Sequence, residues 1–450
     1  METRMDALAE RIGSLLSDDR AAGKMQIARE AFTDEALFEL EMKTIFESNW
    51  IYMCHESQIS RPNDYVTSYI GRQPVIINRN KAGELGGFIN ACAHRGTTLC
   101  RDKKGNKSVF ACSFHGWCFN SSGNLIKVRE EEGAGYPENF DKKAYGLTPV
   151  PKIASYRGFV FASLNPDVPD VEEYLGGSKA FIDMIVDQAP NGIELLRGSS
   201  SYIYNGNWKL QAENGADGYH VGTVHANYMA VQSRREADAP PDAIRAVSPG
   251  GTGKRPGGFY AFENGHIVIW SQRANPEDSP NYHLREEHQS KVDPERLKWM
   301  FERSRNLGLY PNLFLMDSMS SQIRQWRPIS VDKTEVTTYC YAPIGESAAS
   351  RVRRIRQYED FYNASGMATP DDLSEFQASQ QGYMGRLAKW NDLSRGAQHW
   401  VTGSDDLANR SGISALMSGP KIDHEGIFMM QHKAWKERLL NALDAVNNQD

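Results

Sequence analysis

The chain has 450 residues, 40% of them hydrophobic, with 51 basic and 57 acidic side chains and a formal charge of −6. That length supports two to three domains with real cores. The acidic balance argues against a nucleic-acid or anionic-membrane partner, both of which select basic surfaces.

The N-terminal METRMDALAERIGSLL is amphipathic and lacks the apolar core and cleavage site of a signal peptide, and no run of about 18 apolar residues follows. Six cysteines are too few for a disulfide framework in a chain this long, so a reducing cytoplasm is expected. Residues 27–50 carry a 3.6-residue apolar recurrence that predicts a helix, capped by Thr33 or Asp34. From about 58 to 165, short β-rich runs alternate with turn signals such as Asn-Arg-Asn-Lys and Ser-Ser-Gly-Asn, the pattern of a compact all-β unit. DVPDVEEYLGG marks a boundary near 165–177. Beyond it the pattern predicts a helix near 178–188, strands near 191–211 and a motif-bearing helix from about 212. Strands are expected near 258–271 and 308–345, with helices near 293–305, 347–362, 371–390 and 425–446. Strands interleaved with long helices imply an α+β domain. The glycine-rich SPGGTGKRPGG at 248–258 lacks the leading glycine and the Ser/Thr of a phosphate loop and is rejected as one.

Two stretches carry chemistry within the β unit. CAHRGTTLC offers Cys92 and His94; CSFHGWC offers Cys112 and His115, after a gap of seventeen residues. Two cysteines and two histidines could bind a structural zinc. Zinc fingers, however, usually pair like with like, whereas each loop here gives one thiolate and one imidazole. A two-iron, two-sulfide Rieske cluster, with two thiolates on one iron and two imidazoles on the other, matches that split. Gly96 and Gly116 sit where a loop must bring backbone N–H groups close to sulfur. Cys100 and Cys118 read as plain small hydrophobes.

Further on, NWKLQAENGADGYHVGTVHANY places Glu213, Asn214 and Asp217 ahead of His220 and His225. Two histidines and one carboxylate make the facial triad of non-haem Fe(II), which leaves positions open for oxygen and substrate. Histidines five apart lie about 140° round an ideal helix, so their rings converge only if the helix ends or distorts near residues 222–224. Asp217 lies three residues before His220, a spacing that on one helical face lets a carboxylate orient a ligating imidazole. SGMATPDDLSEFQ, at 365–377, also reads as an ordinary helix start with acids in the first turn.

The tips CAHRG and CSFHGW, with E-N-x-x-D-x-Y-H-x-x-x-x-H downstream, resemble the large subunits of aromatic ring-hydroxylating oxygenases. Within them the chain is most similar to the benzoate, toluate, halobenzoate and anthranilate 1,2-dioxygenase group. Long segments such as ELEMKTIFESNWIYMCHESQI, GNWKLQAENGADGYHV and RQYEDFYNASGMATPDDL carry that resemblance, which spans about 27–440. Respiratory Rieske proteins hold a disulfide between the tips; here Thr97 and Ser113 stand at those places, which suggests a potential at the low end of the Rieske range, roughly −150 mV.

The resemblance implies an α+β fold: an all-β Rieske domain (46–165) inserted in a helix-grip catalytic domain (166–450), with residues 1–45 as a helical segment packing on the latter. It implies one Rieske 2Fe–2S cluster on Cys92, His94, Cys112 and His115, and one mononuclear Fe(II) on His220, His225 and Asp372. Asp371 is then a structural first-turn acid, with Asp371 and Glu375 the alternatives to Asp372 as ligand. Asp217 would bridge His220 to His115 of a neighbouring subunit, and Asn214 would line the approach to iron. Arg324 is expected to meet a substrate carboxylate or to form a structural salt bridge, and Arg327 is unassigned. Val221 and Ala226 are expected beside the substrate, with Ala226 standing where a bulky aromatic is expected in benzoate-type members. The implied activity is dioxygenation of a benzoate-like acid by O2 to a cis-diol carboxylate. The implied partners are a small beta subunit, in a trimer of alpha–beta pairs, and a reductase with a flavin (FAD) and an iron–sulfur centre fed by NADH. Monooxygenation of salicylate, and a non-catalytic Rieske electron carrier or zinc-binding adaptor, are the alternatives.

Overall fold

The computed structural model describes residues 2–238 and 255–447. Apart from 255–258, the glycine-rich stretch rejected as a phosphate loop lies outside them. The described residues divide into two compact units, one of residues 42–171 and one combining 2–41 with 172–447.

The 42–171 unit is built from three small antiparallel sheets. Ile51–His55, Phe159–Ser163 and Lys152–Tyr156 form one of them. Leu85–Ile89, Gln73–Arg79, Asp64–Ile70 and Lys104–Asn106 form the second. Val109–Ala111, Cys118–Asn120 and Leu125–Lys127 form the third. Short strands need frequent turns, and the Ser-Ser-Gly-Asn signal supplies one. Asn120 Oδ1 accepts the N–H groups of Ser122 and Asn124, at 3.0 and 2.9 Å. Tyr65, Ile76, Phe110, Trp117 and Phe119 pack around Cys92 and Cys112, so the two cysteine-bearing turns stand on the apolar core.

In the other unit the 303–343 region supplies Arg303–Leu309, Leu313–Met316, Gln322–Ser330 and Lys333–Pro343 as successive antiparallel strands. Ile267–Gln272, Gly257–Ala261, Met417–Gly419 and Val401–Thr402 continue the sheet on one side; Ile193–Leu195 and Ser200–Tyr204 both pair with Lys333–Pro343 on the other. Ten strands join in this one open sheet. The C-terminal helix Gly426–Asn447 packs on Gly257–Ala261 and Met417–Gly419, and the N-terminal helix Glu2–Ser14 packs on it in turn.

Glu41 ties this packing together. Its carboxylate accepts Trp208 Nε1 at 2.8 Å and Trp435 Nε1 at 2.7 Å, and it pairs with the buried ammonium of Lys209. A buried charge pair persists only when its remaining hydrogen-bonding capacity is met, and the two indoles do that. The helix Trp208–Asn214, on which the catalytic motif begins, is anchored by this cluster and by Asn207, whose side chain accepts Lys209 N–H as an N-cap.

Several predicted boundaries move. The helix expected over 27–50 is broken into a strand ending at Ala28, a 3₁₀ turn Arg29–Phe32, the helix Glu35–Glu41 and a π-turn Met42–Phe46. Asp34 does mark the helix start, accepting Leu37 N–H at 2.8 Å. Residues 208–211, expected in a strand, are helical. Residues 303–305, expected at the end of a helix, begin a strand. The helix expected to reach 390 ends at Tyr383.

Two candidate metal centres

The two cysteine–histidine turns are near copies of each other. Gly96 N–H bonds to Cys92 C=O at 2.8 Å, and Gly116 N–H bonds to Cys112 C=O at 3.0 Å. Both glycines are left-handed, with φ of 73° and 71°, a conformation that costs a side chain about 1–2 kcal/mol. Each turn therefore folds back on itself and presents its cysteine inward and its histidine outward. Cys92 and Cys112 are buried, whereas His94 is exposed and His115 half-buried, with ring centroids 4.7 Å apart. Trp117 stacks beneath His94 at 4.8 Å and an interplanar angle of 11°, fixing that ring's plane. Burial opposes ionisation of Cys112, but the amides of Phe114 and His115 outweigh it and hold the thiol below its ordinary value. Burial raises Cys92 against the amides of His94 and Arg95. Amides aimed at sulfur are what a thiolate-bound cluster requires.

Among the described residues, these four do not converge on a point where one ion could take three of them; the only group that does is His220, His225 and Asp372. Separate sulfur and imidazole pairs suit a two-iron cluster and not a single zinc ion. Cys100, in the core, and Cys118, whose Sγ lies 3.3 Å from Gly116 C=O, are free thiols.

The second centre is assembled from two helix breaks and a distant helix. The motif helix ends at Asn214 and resumes as the single turn Val221–Val224. His225 then departs from helical geometry (φ −96°, ψ 19°) before Ala226–Ala237 begins. That irregularity closes the 140° gap expected of an unbroken helix, and the Nε2 atoms of His220 and His225 lie 3.2 Å apart. Asp372 Oδ1 completes the triangle, 3.5 Å from His220 Nε2 and 3.4 Å from His225 Nε2. Metal–ligand bonds of about 2.0–2.2 Å at roughly octahedral or tetrahedral angles place neighbouring donors about 3.0–3.5 Å apart, so the three residues fit one ion. Burial, then the neighbouring His220, pushes His225 down to about 3, so its imidazole is neutral as a ligand must be. Burial raises the Asp372 carboxyl to about 6, against the pull of His220 and Arg324.

The adjacent acids differ in where they lie. Asp372 is buried; Asp371 is half-buried and Glu375 exposed, and neither joins the triangle. Asp371 sits in the first turn of Thr369–Tyr383, whose N-cap position is Ala368 with no side-chain cap. Asp217 does not share a helical face with His220. Residues 215–219 are a turn, and the aspartate reaches across it, Oδ1 accepting Tyr219 N–H at 2.6 Å and His220 N–H at 3.3 Å. Its Oδ2 lies 3.2 Å from His220 Nδ1, an ion-pair distance whose alignment falls short of a hydrogen bond. Burial would raise Asp217, yet the His220 contact and these amides hold it below the usual carboxylate range. Glu213, in the same motif, is turned away to His432 at 2.7 Å.

A cavity of about 100 Å³, room for several waters, adjoins the triad. Asn214, Asp217, Val221 and Arg324 line it. Asn214 links the triad to the cation: Nδ2 donates to Asp372 Oδ1 at 3.2 Å, and Oδ1 accepts from Arg324 Nη1 at 3.4 Å. Ala226 corrects the reading from sequence. It is exposed and does not line the cavity, because the helix starting there turns its first residue outward. Phe361 takes the wall position instead, its ring 5.3 Å from that of His225. Sequence patterning did not single it out because it lies in a π-turn, Tyr358–Tyr362, whose extra residue shifts side chains off the helical period. Arg327 forms a cross-strand pair with Glu335 at 2.8 Å.

Residues 49–150 match the Rieske [2Fe-2S] domain, and residues 194–438 match the ring hydroxylating alpha subunit catalytic domain. The chain is 53% identical over 445 residues to the 2-halobenzoate 1,2-dioxygenase large subunit of Burkholderia cepacia, covering 98% of this chain and 95% of that one. It is 53% identical over 433 residues to the toluate 1,2-dioxygenase subunit alpha of Pseudomonas putida, covering 96% and 95%. A crystal structure of a naphthalene 1,2-dioxygenase mutant bound to phenanthrene superposes with a TM-score of 0.81 at 26% identity, covering 95% of this chain and 94% of that one. The chain belongs to the large subunits of ring-hydroxylating dioxygenases, which are Rieske non-haem iron oxygenases. It therefore carries a 2Fe–2S domain and a catalytic domain for mononuclear iron.

Proposed function

We propose that the chain dioxygenates a benzoate-like aromatic acid to a cis-diol carboxylate. The observation that carries the substrate class is Arg324. It is 3% exposed, lines the cavity beside the triad, and among the described residues has no carboxylate within ion-pair distance. Its partners are neutral: Gln322 Oε1 at 3.0 Å, Asn214 Oδ1 at 3.4 Å and the ring of Tyr362 at 5.8 Å. A buried guanidinium with no anion in direct contact is costly, and a substrate carboxylate lowers that cost. Relatives whose names specify halobenzoate and toluate support the same class.

Cys92 and Cys112 would hold one iron of the cluster, His94 and His115 the other, and His220, His225 and Asp372 the mononuclear iron. When bound, the cluster supplies electrons singly and the mononuclear iron supplies the place where O2 is activated. The chain's own residues do the rest. Arg324 binds and orients the carboxylate, while Ile269, Met316 and Phe361 offer apolar walls to the ring. Asn214 holds Asp372 and Arg324 in fixed relation, which sets where the ring lies against the ligand triangle. Asp217 keeps His220 in orientation and would reach His115 of a neighbouring subunit, giving electrons a short route between subunits.

The assembly implied is a trimer of alpha–beta pairs in the cytoplasm, served by a flavin and iron–sulfur reductase using NADH; among the described residues no helix is long and apolar enough to cross a membrane. The test is Arg324→Met. KM for benzoate should rise at least tenfold, with little change for benzamide, since only the acid loses its cation. Equal losses for acid and amide would assign Arg324 to structure.

A further inference from the structure

We propose that the ring this cavity accepts carries a hydrogen-bond donor, a hydroxyl or a primary amine, on the side away from the carboxylate. The inference rests on the carboxylate–Arg324 reading and adds what meets the ring's other edge.

The cavity floor is one face of the large sheet, and strand register shows how its chemistry is laid out. Arg324 and Gln322 are two apart on one strand, so they share a face. Gln322 stands opposite Met316, Met316 opposite Asn306, and Asn306 opposite Ile269. Ser304, two residues from Asn306, stands opposite Ser271. Asn306 is thus two strand spacings and a two-residue step from Arg324, on the order of 12 Å between Cα atoms, with apolar Met316 between them. Ser271, Ser304 and Asn306 all line the same cavity as Arg324. A planar ring spanning that floor with its carboxylate on Arg324 turns its meta and para positions toward these three.

What the three offer is acceptance. Asn306 Nδ2 donates to Gly215 C=O at 3.0 Å, and its Oδ1 is buried with no partner. Flipping the amide would set Oδ1 against that carbonyl, so its orientation is fixed. Ser271 Oγ and Ser304 Oγ lie 2.8 Å apart, and Ser304 Oγ is also 3.3 Å from Ser271 C=O. Both hydroxyl protons can be spent inside the pair, which leaves lone pairs facing outward. The patch itself holds no charged side chain, so neither a second carboxylate nor an ammonium is favoured. A methyl or halogen that displaced water there would leave Asn306 Oδ1 unpaired, and a site built to accept a hydrogen bond discriminates against the analogue that lacks one.

The experiment is calorimetric binding to the intact oxygenase of benzoate, 3- and 4-hydroxybenzoate, and the 3- and 4-methylbenzoates that match them in size, followed by kcat/KM for each. At least one hydroxy acid should bind about tenfold or more tightly than its methyl counterpart. Asn306→Leu should bring that ratio to within about twofold of one, and the milder Ser304→Ala should lower it severalfold if the leucine variant folds poorly. Methyl acids binding as well as the hydroxy acids would overturn the proposal while benzoate still binds in an Arg324-dependent way. Failure of every acid to bind, or binding indifferent to Arg324→Met, would instead bring down the carboxylate reading and this inference with it.

Discussion

The two metal-binding regions solve opposite problems with similar side chains. In the 42–171 unit the donors ride on two tight turns, with cysteines inward and histidines at the surface. In the catalytic unit the carboxylate and one imidazole are buried and the whole triad faces a cavity. A centre that only passes electrons needs an edge near its partner, so exposed imidazoles serve it. A centre that must exclude water and hold a substrate needs walls, and its ligands must come from elements able to enclose a volume. Turn-borne ligands can be local in sequence; cavity-borne ones cannot.

The largest expected effect breaks the two regions apart. Each chain should hold two cluster irons and one mononuclear iron, matching the two domains. His220→Ala removes one donor of the buried triangle, so iron content should fall by one and turnover be abolished, while the visible and EPR signatures of the cluster persist. His94→Ala should do the reverse to the spectra. Loss of the cluster signature in His220→Ala would mean that the two centres are not independent.

The next effect tests what connects them. Asp217 lies outside the His220–His225–Asp372 triangle, yet it contacts His220 through both a backbone turn and its imidazole. Asp217→Ala should keep both metal sites filled and let the reductase reduce the cluster at its normal rate. Reoxidation of the prereduced cluster by oxygen and substrate should slow by orders of magnitude, at least about a hundredfold if the aspartate carries the coupling. Single-turnover absorbance follows this directly, and near-wild-type reoxidation would reduce Asp217 to a turn-capping acid.

The same contrast explains what was legible in the sequence. The cysteine–histidine turns were readable because five residues contain the whole device: a cysteine, a histidine and a glycine able to adopt positive φ. His220 and His225 were readable as a pair, and the need for a distortion between them followed from helix geometry alone. Asp372 came from resemblance, since an acid in a first helical turn looks like any other; only its burial against the imidazoles sets it apart from Asp371. Phe361 and the Ser271, Ser304 and Asn306 patch were not legible. Their shared surface exists only once strands distant in sequence come into register, and a π-turn shifts the aromatic off its period. Ala226 misled for a related reason: adjacency to a ligand in sequence does not survive the break at His225.

The smallest effect extends the comparison to histidines that bind nothing. Each unit buries a neutral imidazole. His55, in the 42–171 unit, accepts Ser57 N–H at 3.2 Å on Nδ1, and burial pushes it down to about 4. His266, in the catalytic unit, holds Tyr174 C=O on Nε2 at 2.9 Å and accepts Tyr310 N–H on Nδ1 at 3.0 Å; burial pushes it down to about 3. Both folded-state values lie below the unfolded value of about 6.5, so between those limits the unfolded chain binds the extra proton. Stability is then fully present above pH 6.5 and falls as pH drops, by about 1.4 kcal/mol per unit for each histidine and about 2 kcal/mol each by pH 5. Below pH 4 His55 titrates in the folded state and its penalty levels off, whereas His266 continues to cost until about pH 3. Urea unfolding of the catalytic unit, followed by tryptophan fluorescence from pH 7.5 to 5, should therefore steepen with acid in the wild type. In His266→Gln, which cannot take up a proton, the slope should drop by about one proton while the transition of the other unit keeps its own. An unchanged slope would mean that His266 is already protonated in the folded chain, and that its bond to Tyr310 N–H is not made.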